Sequence, residues 1–151
     1  MSKHNTVLVV DDDEDGLLLL QLAFTEAGIS NPIQTLRNGF EAIDYLKGDG
    51  PYSDRAKYPL PCFMLLDLKM PSCSGFEVLA WRQTQKNLQR FPIIVFSSSN
   101  LQPDIQRAME LGATAYSVKP LDFNNLVTMA KEFRKQWLEP DTKPRPVLRD
   151  I

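Results

Sequence analysis

The sequence predicts an α/β fold, a five-stranded parallel sheet with helices on both faces. Three observations predict it. Short apolar runs alternate five times with segments whose apolar residues recur at helical spacing, the rhythm of strands joined by crossover helices. The runs are continuous and bounded by polar residues, as in buried strands. Four of them end in polar residues suited to chemistry: Asp11 and Asp12, then Asp67, Ser97 and Lys119. In an open parallel sheet, ligands bind outside the carboxyl ends of the strands, so these stops are expected to meet.

The elements follow in order. Val7–Val10 is an apolar run closed by acids, hence the first strand. Leu17, Leu20, Phe24 and Ala27 then recur at helical spacing, and Gly28 stops the helix. Ile33–Leu36 is a short second strand. Asn38 and Gly39 form a turn, and Ala42, Ile43 and Leu46 give a second helix ending at Gly48. Residues 47–59 carry Pro, Gly and charges, which predicts an exposed loop. Phe63–Leu66 is the third strand. Phe76, Val78, Leu79 and Arg82 suggest a helix after Gly75. Residues 93–96 form the fourth strand, and 103–111 a helix with Pro103 in its first turn and Gly112 at its end. Ala115–Val118 is the fifth strand. Phe123, Leu126, Val127, Ala130, Phe133 and Trp137 make one apolar stripe on a last helix over about 122–138.

Composition narrows the function. The 151 residues suit one domain, and 43% apolar residues suffice for a core. A net charge of −2 gives no case for a nucleic-acid or anionic-membrane partner. No apolar stretch approaches the roughly 20 residues needed to span a bilayer, and no signal peptide is legible at the start. Cys62 and Cys73 make neither a disulfide framework nor a zinc site. A reducing cytoplasm is the expected location. One domain is expected over residues 1–139. After it, three prolines forbid a helix, and 140–151 is expected to be a Pro-rich tail too short for a further domain.

Asp67 is the most informative residue. A carboxylate at the end of a buried strand is expensive unless something uses it. Three carboxylates in one cleft repel each other, and one would have its pKa raised unless a cation neutralised them. An all-oxygen site selects a hard ion, and Mg²⁺ suits a few carboxylates with waters and phosphate.

The ordered set Asp11-Asp12, Asp67, Ser97 and Lys119-Pro120, with its spacings, resembles the receiver domain of bacterial two-component response regulators, over residues 6 to 138. The longer connection before the third strand is similar to that of single-domain regulators that partner phytochrome-type histidine kinases. The resemblance implies a doubly wound, flavodoxin-like (βα)5 fold with strand order 2-1-3-4-5 and no output domain. It implies that Asp67 accepts a phosphoryl group from a sensor histidine kinase or a phosphotransfer protein. Asp12 and Asp67 would ligate Mg²⁺ directly, Asp11 mainly through water, and Lys69 through its backbone carbonyl. Lys119 and Ser97 would neutralise the phosphoryl oxygens, and a cis Lys119-Pro120 bond would hold the lysine inward. Ser97 would then move toward the phosphate and Tyr116 would turn inward. That change would reshape the face of the fourth helix, fifth strand and fifth helix for a downstream protein. Such a protein catalyses only its own phosphorylation and dephosphorylation.

Plainer readings stand beside these. Asp11 and Asp12 can cap the following helix, Asp67 can be a turn residue, and Ser97 and Lys119 can be solvated strand ends. Tyr116 can be a packed aromatic. Two departures from the family are legible: Ser72-Cys73-Ser74-Gly75 stands where many receivers carry Asp or Asn before the glycine, and Ser97 stands where Thr is commoner. Other functions fit less well. A haloacid-dehalogenase-like phosphatase needs Asp-x-Asp-x-Thr at the first strand and a cap insertion, and Asp11 to Asp15 lack the Thr. A degenerate scaffold receiver would lack the phosphoacceptor or the lysine. A flavodoxin wants a hydroxyl- and glycine-rich phosphate loop where this chain has acids. The long final stripe also predicts that Phe133 and Trp137 protrude beyond the sheet and bury themselves in a two-fold homodimer through the last helix, with the tail lying along one of the two chains.

Overall fold

The computed structural model describes residues 5–89 and 91–139; the tail expected over 140–151 lies outside them. Five strands, β1 (Val7–Val10), β2 (Ile33–Leu36), β3 (Phe63–Leu66), β4 (Ile93–Ser97) and β5 (Ala115–Val118), form one sheet. Its order is β2-β1-β3-β4-β5, and every pair is parallel. The helices are α1 (Glu14–Glu26), α2 (Gly39–Lys47), α3 (Gly75–Gln83), α4 (Gln102–Glu110) and α5 (Phe123–Phe133). None among the described residues is long and apolar enough to cross a membrane.

The side-chain alternation of the strands divides the core in two. Leu8, Val10, Met64, Leu66, Ile93 and Val95 pack against α2, α3 and α4 through Ala42, Tyr45, Leu46, Val78, Leu79 and Ala108. Val7, Val9, Phe63, Leu65, Ile94 and Phe96 pack against α1 and α5 through Leu17, Leu20, Phe24, Val127, Ala130 and Phe133. Strands apolar at every position are therefore what a sheet buried on both faces needs.

Local caps set the helix starts. Asn38 is the N-cap of α2, its side chain accepting from the Glu41 N–H at 2.9 Å, so the Asn38-Gly39 turn is the first step of the helix. Ser74 and Glu77 close a reciprocal capping box on α3. Asp122 caps α5.

Three expectations need correction. The loop after α2 is not simply exposed. Tyr52 and Tyr58 are half-buried and stack with Tyr45, with ring centroids 5.2 to 5.9 Å apart. Arg55 donates to the Tyr45 and Leu46 carbonyls at 2.7 Å each and to the Tyr58 carbonyl at 3.1 Å. The last carbonyls of a helix lack partners of their own, and the guanidinium supplies donors that turn the loop inward. Secondly, the Lys119-Pro120 bond is trans, as are all described peptide bonds.

Thirdly, the end of the last helix does not protrude. Past α5 the chain widens into a π-helical stretch, Arg134–Leu138. Phe133 is buried with its ring 5.5 Å from Phe63, and the Trp137 ring lies 6.3 Å from the same Phe63. Arg134 donates to the Ala27 carbonyl at the end of α1 at 3.3 Å. Aromatic side chains at the sheet edge thus lengthen the covered surface, and among the described residues Phe133 and Trp137 do not form the protruding apolar end on which the expected homodimer was argued.

Arg82, near the end of α3, is buried. It donates to the carbonyls of Leu88 at 2.8 Å, Phe91 at 3.0 Å and Gly112 at 3.4 Å. These bonds tie the end of α3 to the segments that enter β4 and β5.

Candidate functional site

Parallel pairing in register brings the strand ends to one edge. Val10 lies opposite Leu66, Leu66 opposite Val95, and Ser97 opposite Val118. The residues that follow β1, β3 and β5 are Asp11, Asp67 and Lys119, while Ser97 is itself the last residue of β4. One cleft therefore collects all four polar stops.

Asp11, Asp12 and Asp67 each offer a carboxylate oxygen, and the three oxygens lie within 4.8 Å of one another. Asp11 and Asp67 are buried and Asp12 is exposed. Lys119 places its ammonium 2.6 Å from Asp11 Oδ2 and 3.6 Å from Asp67 Oδ2. The backbone N–H of Leu68 donates to Asp67 Oδ1 at 2.8 Å, and that of Asp13 to Asp11 Oδ1 at 3.0 Å. Three acids facing one cation leave excess negative charge in a poorly solvated place. The Asp67 carboxyl is accordingly pushed up to about 6, first by burial and then by Asp11 and Asp12, while Lys119 and the Leu68 N–H pull it down. Lys119 is raised: burial opposes its charge, but its hydrogen bond to Asp11 and the field of both acids outweigh burial. Among the described residues this is the group of acids whose geometry can hold a divalent cation.

Ser97 is fully buried, and its Oγ accepts the Ser99 N–H at 3.2 Å. The Tyr116 hydroxyl donates to the Ser99 carbonyl at 2.8 Å, and its ring packs half-buried on the α2–α3–α4 side of the sheet. Lys69, two residues after Asp67, turns its ammonium to Asp104 Oδ2 at 3.3 Å.

Several neighbours of the site were not legible as such. Ser99 Oγ donates to Asp104 Oδ2 at 2.6 Å, which ties the loop after β4 to the first turn of α4. Arg37, just after β2, bonds Glu14 at 2.9 Å and the Asp12 carbonyl at 3.3 Å, and so braces the acidic loop. In the loop after β3, Ser72 adopts a left-handed φ of 71°, a conformation uncommon outside glycine. The next carbonyl, of Cys73, accepts the Gly39 N–H at 3.1 Å, and a Cβ on Gly39 would stand 2.5 Å from that oxygen. The start of α2 thus abuts the loop that follows Asp67. The Ser74-Gly75 pair signals a helix start in sequence, but nothing there signals how closely Gly75 approaches Asp67.

The sequence profile of the response regulator receiver domain matches residues 7–131. The chain is 31% identical over 140 residues to the probable methanogenesis regulatory protein FilR2 of Methanothrix harundinacea, covering 93% of this chain and 88% of that protein. It is 30% identical over 138 residues to the response regulator Rcp1 of Synechocystis sp., covering 91% and 92% of the two chains. The solved Mn²⁺-bound form of Rcp1 superposes with a TM-score of 0.80 at 30% identity, covering 93% of this chain and 99% of that one. The phosphorylated cyanobacterial phytochrome response regulator RcpA superposes with a TM-score of 0.82 at 30% identity, covering 90% and 95%.

Proposed function

Because the chain belongs to the response regulator receiver family, whose members take part in two-component signalling, we propose that Asp67 is its phosphoacceptor. The donor is a histidine kinase, or a phosphotransfer protein charged by one, in the cytoplasm. The observation that carries this reading is the cleft: Asp11, Asp12 and Asp67 within one ion's reach, with Lys119 beside them. A kinase of the phytochrome type is the best-supported donor, since RcpA, similar over 90% of this chain, is a phytochrome response regulator.

Asp12 and Asp67 would hold Mg²⁺, with Asp11 acting through water and the Lys69 carbonyl adding an oxygen. When bound, the cation would supply charge neutralisation for the acids and for the incoming phosphoryl oxygens. The acid set supports a hard divalent ion, and the similar Rcp1 is known in a Mn²⁺-bound form. An Asp67 carboxylate oxygen attacks phosphorus as the P–N bond to the donor imidazole breaks, and the imidazole takes up a proton. Lys119, already 3.6 Å from Asp67, neutralises one phosphoryl oxygen. Ser97 releases the Ser99 N–H and donates its hydroxyl to another. Because Ser99 also carries the Tyr116 hydrogen bond and the link to Asp104, that release reaches β5 and α4 together, a local charge change biasing a surface.

Incubation with acetyl phosphate and Mg²⁺ should give an acyl phosphate that maps to Asp67 and disappears when the metal is chelated. Modification of another residue, or labelling that survives chelation, would contradict the proposal. A Mg²⁺ titration followed by chemical shifts should show sharply weaker binding in Asp12→Ala. Lys119→Met should bind Mg²⁺ more tightly than wild type yet be phosphorylated poorly, because the ammonium competes with the cation for Asp11 and Asp67 but is needed on the phosphoryl group. Unchanged metal affinity in Lys119→Met would show that the lysine leaves the acids unaided.

A further inference from the structure

Lys69 sits in the loop after Asp67, on a long flexible stem, next to a cleft of three carboxylates and one lysine. Its ammonium is nevertheless directed elsewhere. Asp104 Oδ2, in the first turn of α4, takes it at 3.3 Å, and the same oxygen accepts the Ser99 hydroxyl at 2.6 Å. Asp104 is largely shielded, with its side chain 17% exposed, while Lys69 is 60% exposed and so free to reorient. The ring of Phe76 lies under the same ammonium at 5.9 Å, with the Arg107 guanidinium over that ring at 4.1 Å, and among the described residues Asp104 is the acid that pairs with Lys69.

From this geometry we infer that Asp104 is a positioning residue for the cation site: it parks the Lys69 ammonium outside the cleft of Asp11, Asp12 and Asp67. The inference rests on the Mg²⁺ reading above and adds a residue from a different element. Without the Asp104 charge, the acidic cleft that begins at Asp67, two residues before Lys69, is where the freed ammonium turns. The ammonium then acts there as a second internal cation beside Lys119 and competes with Mg²⁺. Asp104 is also fixed by Ser99, whose N–H and carbonyl bond Ser97 and Tyr116. The parking place is therefore tied to the segment that moves when Ser97 turns to a phosphoryl group.

The experiment is a double-mutant cycle on Mg²⁺ affinity, read by chemical shifts of the full chain, with thermal unfolding as the folding control. D104N on the wild-type background should weaken Mg²⁺ binding severalfold. The same D104N change made on the K69M background should have little effect, because there is no ammonium to release. The severalfold loss should also shrink as salt is raised to about 1 M, where screening acts over about 3 Å. Equal Mg²⁺ affinity in wild type and D104N overturns the inference and leaves the reading of the site intact. A loss as large on the K69M background overturns it too, since it would run through Ser99 and α4 and not through Lys69. Absence of Mg²⁺ binding by the wild-type chain overturns the reading of the site and the inference with it.

Discussion

Asp67→Asn is expected to take up no phosphoryl group and, in the absence of divalent cations, to be more stable than the wild-type chain at neutral pH. The first effect follows from removing the carboxylate proposed as the nucleophile. The second follows from its environment. In the folded chain the Asp67 carboxyl titrates near 6, against 3.8 for an ordinary aspartate, because it is buried beside Asp11 and Asp12. The folded state therefore binds more protons than the unfolded state between those values, and stability falls as pH rises through that window. The advantage of the protonated carboxyl is fully present below about 3.8 and gone above about 6. Roughly two units correspond to about 3 kcal/mol of destabilisation at neutral pH. That shift already contains the opposing pull of Lys119, and the uncharged amide escapes the net term, so a gain of up to about 3 kcal/mol is expected. Thermal unfolding of both proteins near neutral pH and at about pH 4 decides the matter. The gain should be large at neutral pH and small in acid, where the wild-type carboxyl is protonated. A variant less stable than wild type at neutral pH, or a difference equal at both, would show that Asp67 is not strained by its neighbours. The proposed phosphoacceptor is on this account a residue whose charge the fold tolerates at a cost in stability.

The same feature explains why the site was legible in the sequence. A polar residue closing an apolar strand is a weak sign alone, but four of them in this order, placed by a parallel register, define a cleft. The strand bounds were equally plain, because continuous apolar runs had sharp polar ends; only β4 runs one residue further than expected, to Ser97. What periodicity does not carry is where loops and long side chains go. Asp104 sits in the first turn of α4, and nothing local pairs it with Lys69. Arg55 and Arg82 are charged residues whose partners are main-chain carbonyls of distant segments, and carbonyls leave no trace in composition. Trp137 was misjudged for a related reason. The length of its helix against the sheet was legible, but not that the ring of Phe63 would cover the overhang.

Gly75 shows how a residue can look local and act on the site. Its N–H donates to the Leu68 carbonyl at 3.0 Å, and it opens α3 after the Ser74 cap. A Cβ there would stand 2.2 Å from the Asp67 carbonyl oxygen and 2.9 Å from the Leu68 Cα. Two effects oppose each other in Gly75→Ala. Helix propensity favours alanine by up to about 1 kcal/mol, and no left-handed φ at Gly75 forbids it. The contacts, however, are with backbone that cannot rotate away. Overpacking of this kind costs about 1–3 kcal/mol and sometimes more, so the variant should be destabilised by about 2 kcal/mol net. The chain can relieve the clash only by moving Asp67 and Leu68, and with them the proposed nucleophile relative to Asp11 and Lys119. A misplacement of about 1 Å costs on the order of a hundredfold in rate. Gly75→Ala should thus lose most of its phosphorylation by acetyl phosphate even at low temperature, where it remains folded. Gly16→Ala is the matched control, because the Cβ there meets only the movable end of Asp13 at 2.9 Å and lies within α1, so its stability should be kept. A Gly75→Ala protein as stable and as readily phosphorylated as the wild type would show that the loop after β3 yields without moving Asp67, and that its close approach to α3 does not hold the nucleophile in place.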